Sequence, residues 1–325
     1  SLAGDGDSRM GRFTPIWLLA AAWLASACVP ADASVAGEKS GATSGGSIVV
    51  TDDLGASVEL GEPARRVAVV APFAGELLAS IGIRPVAAPL PPGGKASEVY
   101  ADRAIIVGHM TGPNLEQLAA SRPDVVVTTS MYARFTRTIE SALGVPVVTL
   151  DVTDASDIPR HLETLGSLTG REAPAAARAA DVRLLLEQAR EDRPQRPLRV
   201  LAVFGHHSAM YAFLPDSYVG SLIEMLGGEV VTGGLDSHAV YSELTPFGPE
   251  QAIVARPDVL LVLAHGDASG VARTLSERPG WRALPAVRTN RVHALPDGPF
   301  VLEPGTDLAG TIALLRGVLA GDDAG

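Results

Sequence analysis

The residues best suited to holding a ligand cluster after strand-like apolar runs. Ligands of open α/β sheets sit outside the carboxyl ends of the strands, so those positions are the candidates. Pro72-Phe73 follows the run Val67–Val70, and Tyr132 and Arg134 follow Val125–Thr129. Phe204, His206, His207 and Tyr211 follow Arg199–Val203, His265 directly follows Val259–Ala264, and Phe300 follows Arg291–Leu295. Met110, with His109 beside it, precedes a helical stretch that begins at Leu115. Aromatics make up only 5% of the chain, so each one near a strand end carries weight.

These are residues that grip rather than react. The sequence holds no G-x-S-x-G elbow, no G-x-x-x-x-G-K-[ST] phosphate loop and no H-E-x-x-H. His206-His207 with Ser208 and Asp216 supplies the residue types of a catalytic triad, but adjacency in sequence is not triad geometry. A free metal ion needs three or four converging ligands, and the histidines do not cluster beyond His206-His207. The single cysteine, Cys28, excludes a disulfide framework. A formal net charge of -11 argues against a nucleic-acid partner. No reaction and no catalytic cofactor is expected.

Cys28 has a more specific context. Met10-Gly11-Arg12 opens a basic stretch, and Ile16 to Ala27 is almost wholly apolar. That run is short for a membrane span and suits a signal-peptide core. It ends Leu24-Ala25-Ser26-Ala27-Cys28, which resembles the lipobox of bacterial lipoproteins and implies lipidation at Cys28. An ordinary signal peptide cut near Ala31-Asp32-Ala33 is the alternative. Residues 28–47 are rich in Ala, Gly and Ser, as in a flexible tether.

The remaining chain must position the candidates. Continuous apolar runs alternate with helical patterns, which predicts mostly parallel sheets covered on both faces. Helices are expected at Ala74–Gly82, Leu115–Ser121 and Tyr218–Gly228. A specific echo joins the halves: Glu116-Gln117 leads to Arg122-Pro123-Asp124-Val125, and Glu250-Gln251 leads to Arg256-Pro257-Asp258-Val259 with the same spacing. Between them Ala173–Glu191 has no glycine and one proline near its start, where proline is tolerated. The expected fold is α/β: two Rossmann-like lobes, each a mostly parallel sheet flanked by helices, joined by one long backbone helix. The divisions are a leader at 1–27, a tether at 28–47, an N-terminal lobe at 48–155, a connector at 156–194 and a C-terminal lobe at 195–325.

These pieces resemble the helical-backbone periplasmic binding proteins that serve vitamin B12, ferric siderophore and heme importers. The likeness runs from about Ile48 to the C-terminus. It is carried by Arg65-Arg66-Val67, Pro113-Asn114-Leu115-Glu116, Arg122-Pro123-Asp124, Leu143-Gly144-Val145-Pro146, Gly220–Gly228, Tyr241 with Glu243, and Trp281. The resemblance implies a lipid-anchored monomer outside the cytoplasm that delivers a chelate to an ABC permease and its ATPase. It also implies docking through one acidic residue per lobe, Glu116 and Glu224.

The heme-receptor branch of that family supplies the favoured ligand. It implies that Met110 and His265 bind heme iron from opposite faces, a pairing consistent with imidazole and thioether chemistry. Arg134 would meet a propionate. His109 in place of Met110, or the pair His206-His207, remains open. The alternatives are a ferric siderophore gripped by Arg134, Arg137, Tyr132 and Tyr241, and cobalamin between aromatic clamps.

Overall fold

The β-branched runs become the central strands of two separate sheets. The computed structural model describes residues 47–90, 105–109, 112–191, 193–194, 196–206, 209–239 and 241–321. The leader, Cys28, most of the tether, Met110 and His207 lie outside these residues.

A short antiparallel hairpin, β1 (Ile48–Thr51) and β2 (Ser57–Leu60), precedes the first sheet. That sheet is built from β3 (Val67–Val69), β4 (Ala87–Leu90), β5 (Ile105–His109), β6 (Val125–Thr128) and β7 (Val147–Thr149). Its order is β5-β4-β3-β6-β7 and every pairing is parallel. Helices α1 (Pro72–Ser80), α2 (Leu115–Ala120) and α3 (Ala133–Leu143) form the connections. All four residues of β6 are buried, as expected for a strand covered on both faces. Val67, Val69, Val125 and Val127 face one core, and Ala68, Val70 and Val126 face the other.

The second sheet is mixed. It holds β8 (Arg199–His206), β9 (Ala209–Phe213), β10 (Glu229–Val230), β11 (Leu244–Pro246), β12 (Val259–Leu263) and β13 (Val292–Leu295). Strands β8, β12 and β13 run parallel, while β9 and β11 add an antiparallel edge. The start of β8 pairs with β10 and its end with β9. Helices α6 (Tyr218–Met225), α7 (Pro249–Ala255), α8 (Ala268–Glu277), α9 (Pro285–Arg288) and α10 (Leu308–Ala320) complete this half. The strand expected to end at Val203 runs on through His206 and pairs with Ala209–Phe213, so His206 ends a strand opposite Ala209.

The sequence echo is a structural repeat. The Asp124 carboxylate accepts the backbone N–H groups of Arg65 and Arg66, each at 2.8 Å, at the entry to β3. Asp258 accepts that of Arg199 at 3.0 Å at the entry to β8. The Arg66 guanidinium donates to the carbonyls of Ser121 and Arg122, just past α2, and that of Arg199 to the carbonyl of Ala255, at the end of α7. Helix C-termini leave carbonyls without partners, and these arginines supply them. Arg122 and Arg256 both adopt positive φ, at 44° and 46°, an uncommon conformation for a residue with a side chain.

The connector is a helical hairpin. The long helix expected from Ala173 to Glu191 is present as α5 (Glu172–Glu191), about 30 Å long at 1.5 Å per residue. It is preceded by α4 (Asp157–Thr169), which the sequence reading had not singled out. Gly170, at φ 65°, makes the turn. The two helices approach so closely at Gly166 that a Cβ there would lie 2.4 Å from the Cβ of Ala175. Arg171 donates to the carbonyl of Ile81 after α1, and Arg193 to that of Met225 at the end of α6, so the hairpin is tied to both sheets. Asp53, in the β1–β2 turn, bonds Arg160 and His161 on α4 and the N–H of Asp151 after β7. Burial alone would raise the Asp53 carboxyl, but those bonds outweigh it and hold it well below the carboxylate range. Among the described residues no helix is long and apolar enough to cross a membrane.

Candidate functional site

The carboxyl end of the second sheet carries an aromatic surface. Phe204 and Tyr211 are register partners across the β8–β9 pair, so their side chains share a face. The Phe204 ring meets Phe213 edge-on at 6.4 Å and His265 edge-on at 5.0 Å. Tyr211 in turn contacts His238 at 5.4 Å and Tyr241 at 6.3 Å, and His238 stacks on Tyr241 at 5.3 Å. The N–H of Tyr241 donates to Nδ1 of His238 at 3.3 Å, which fixes that stack.

His265 stands at the edge of this surface with its side chain 42% exposed. It follows β12, and Asp297 follows the neighbouring β13, at the start of a π-helical turn over Gly298–Leu302. Nδ1 of His265 lies 2.7 Å from Oδ2 of Asp297. A carboxylate there accepts a hydrogen bond from Nδ1–H, which selects the tautomer whose lone pair is on Nε2. This orients one imidazole nitrogen for a ligand.

The other expected site residues fare differently. His109 ends β5, directly before Met110. Phe73, Tyr132 and Phe300 are corrections: their exposures are 3%, 3% and 2%, and all three pack in hydrophobic cores. Phe73 turns under α1 toward His161, at 6.1 Å, because the helix begins at once after β3. Tyr132 is held beneath α3, and burial pushes its phenol up to about 12. Arg134 is exposed, with its guanidinium 4.8 Å from the Phe135 ring centroid. It shares an open depression on the flank of α3 with Arg137, Thr138 and Ser141. Tyr241 is 45% exposed, as a contact surface requires.

Sequence reasoning missed His238, Asp297 and a set of carboxylates. Burial raises Glu243 to about 7, and the nearby charges of Asp151 and Asp216 add to the effect. Asp151 follows β7 of the first sheet and accepts the N–H of Ser130 at 2.9 Å, and Glu243 immediately precedes β11 of the second. Glu303 is likewise raised, by burial and then by Glu76 on α1. Opposed carboxylates therefore line the region between the halves. The spacing Pro296-Asp297 after a strand was the one available signal for Asp297, and nothing in the sequence pointed to His238.

The docking candidates lie apart from this surface. Glu116 is exposed in the first turn of α2, where Asn114 caps the helix. Glu224 is exposed near the end of α6, and partial burial raises its carboxyl. The repeat makes Glu250, exposed in the first turn of α7, the counterpart of Glu116.

Comparison with known proteins agrees with this architecture. Residues 67–299 match the family model described as periplasmic binding protein. A cobalamin-binding protein of Halobacterium salinarum is 24% identical over 267 residues, covering 78% of this chain and 70% of that protein. The high-affinity heme uptake system protein IsdE of Staphylococcus aureus is 23% identical over 208 residues, covering 62% of this chain and 69% of that protein. The structure of IsdE complexed with heme aligns at a TM-score of 0.68, with 19% identity over 78% of this chain and 98% of that one. An ABC transporter substrate-binding protein from Listeria monocytogenes aligns at a TM-score of 0.70, with 21% identity over 80% of this chain and all of the other. The chain belongs to the periplasmic binding protein family, a family of binding proteins rather than enzymes.

Proposed function

We propose that this protein captures heme outside the cytoplasm and hands it to an ABC permease. The observation that carries the reading is the His265–Asp297 pair: an exposed imidazole, one nitrogen bonded to a carboxylate at 2.7 Å, seated edge-on against Phe204. Metal-ligating histidines have this second-shell arrangement, which fixes tautomer and ring orientation. Nε2 of His265 would take one axial position on the iron. Met110, beside His109 at the end of β5, would take the other. Phe204 and Tyr241 offer apolar contact to a planar ring system, and Arg134 or Arg137 offers a cation to its carboxylates.

The leader motif supports anchoring through a lipid on Cys28, with residues 28–47 as the tether. Docking on the permease would use Glu116 and a second acidic residue on the other half. That residue is Glu224 by motif or Glu250 by the repeat. The ATPase partner acts only through the permease.

The test is the visible spectrum after adding ferric heme to wild type and to His265→Ala. A sharp low-spin Soret band in wild type that is lost or shifted in the variant supports the reading. A spectrum of free heme in both overturns it. A ferric siderophore is the second reading, favoured by the exposed Arg134 and Arg137. It is gripped by cations and aromatics without protein–iron bonds, and its binding would leave His265→Ala unimpaired.

A further inference from the structure

Beneath the first turns of α3 lies a group of buried hydroxyls that no protein group satisfies. Thr128 and Thr149 are register partners at the ends of β6 and β7. They are 0% and 1% exposed, and neither Oγ1 has a hydrogen-bond partner. Residues two apart in a strand share a face, so Thr128 lies on the face of Val126 and Thr149 on that of Val147. Both valines pack with Tyr132 and Ile139 in one core. Tyr132 and Thr136 are four residues apart at the start of α3, on its Ile139 face. The Tyr132 hydroxyl and the Thr136 Oγ1 are also buried without partners.

The chain's own alternative is not taken. A helical threonine can bond the carbonyl four residues back, and Thr164, Thr169 and Thr311 do so at 3.0, 2.7 and 2.7 Å. Thr136 does not. A buried hydroxyl without a partner is expensive, and four on one side of one sheet end call for a physical explanation. Polar, partner-seeking sites of this kind hold internal water, each molecule making about three hydrogen bonds.

We propose that Thr128, Tyr132, Thr136 and Thr149 enclose an internal hydration site between the ends of β6 and β7 and the first turns of α3. The water takes the hydrogen bonds that the protein leaves open and fastens α3 to the sheet. Burial keeps the Tyr132 phenol protonated to about pH 12, so it can donate as well as accept.

Two measurements test this. Thr128→Val, Thr149→Val and Tyr132→Phe keep shape and delete one hydroxyl each. With water present, each strands a bond to it, and the melting midpoint falls by about 2–4 °C. If the hydroxyls are simply unpaired, replacing them relieves a penalty, and an unchanged or raised midpoint overturns the proposal. A high-resolution crystal structure decides independently of folding effects. Ordered water within hydrogen-bonding distance of at least two of the four hydroxyls is expected, and a dry site overturns the proposal whatever the melting data show.

Discussion

At the ends where their strands begin, the two sheets are held in the same way. Arg66 and Arg199 reach the C-terminal ends of α2 and α7, and Asp124 and Asp258 gather the backbone at the entry to β3 and β8. At the opposite ends they part. The first sheet stays wholly parallel, and its β6 and β7 end in buried hydroxyls. The second gains the β8–β9 hairpin and with it Phe204 facing Tyr211, beside His265. The shared end is built for the fold, and the divergent end carries the residues proposed to hold the ligand.

The comparison is sharpened first by removing Asp297. If the second sheet's end is the metal-holding half, Asp297→Ala leaves His265 in place but frees its ring. Heme affinity should then fall about 10–100-fold, read by titration of the Soret band. Unchanged affinity would place iron binding elsewhere.

The carboxylates between the halves give the next effect. Glu243 has its folded pKa raised to about 7 against an ordinary 4.5. Such a group prefers the protonated form when folded, so wild type loses stability as pH rises from about 4.5 to about 7. Glu243→Gln removes that slope. The variant should be more stable than wild type by about 3 kcal/mol above pH 7, with the difference vanishing near pH 4, measured by denaturant melts across pH. Parallel profiles for the two proteins would show that Glu243 feels no such burial.

The smallest effect concerns the exposed helix starts. If the repeat extends to partner contacts, Glu116→Ala and Glu250→Ala should each slow association with the permease by a few-fold at low salt, and Glu224→Ala should not. The reverse order would show that docking does not follow the internal symmetry.

The fold was legible because its strands are continuous β-branched runs and its repeat keeps identical spacing at Glu116–Asp124 and Glu250–Asp258. Helix α4 was not, since Pro159 and Gly166 interrupt its pattern. Tertiary packing turns that glycine into the point of closest approach to α5. Strand β9 was hidden because Ala209–Phe213 follows so soon after β8, and only pairing tells a second strand from a connection. The site was half legible. His265 is visible as a histidine directly after a buried strand, but Asp297 comes from a neighbouring strand 32 residues on. Phe73, Tyr132 and Phe300 were misplaced for one reason: an aromatic at a strand end can turn outward or back under the adjoining helix. The direction depends on where that helix begins.

The connector has a consequence for how the molecule is made. The chain passes from the first sheet to the second only once, through α4 and α5. Every strand of the first sheet is therefore available when residue 149 has emerged, and among the described residues no later strand joins it. Short-range pairing of this kind favours fast folding. The first sheet's strands can pair while the C-terminal half is still being delivered, and the helical hairpin then covers one face of that sheet and carries the same core on into the second half.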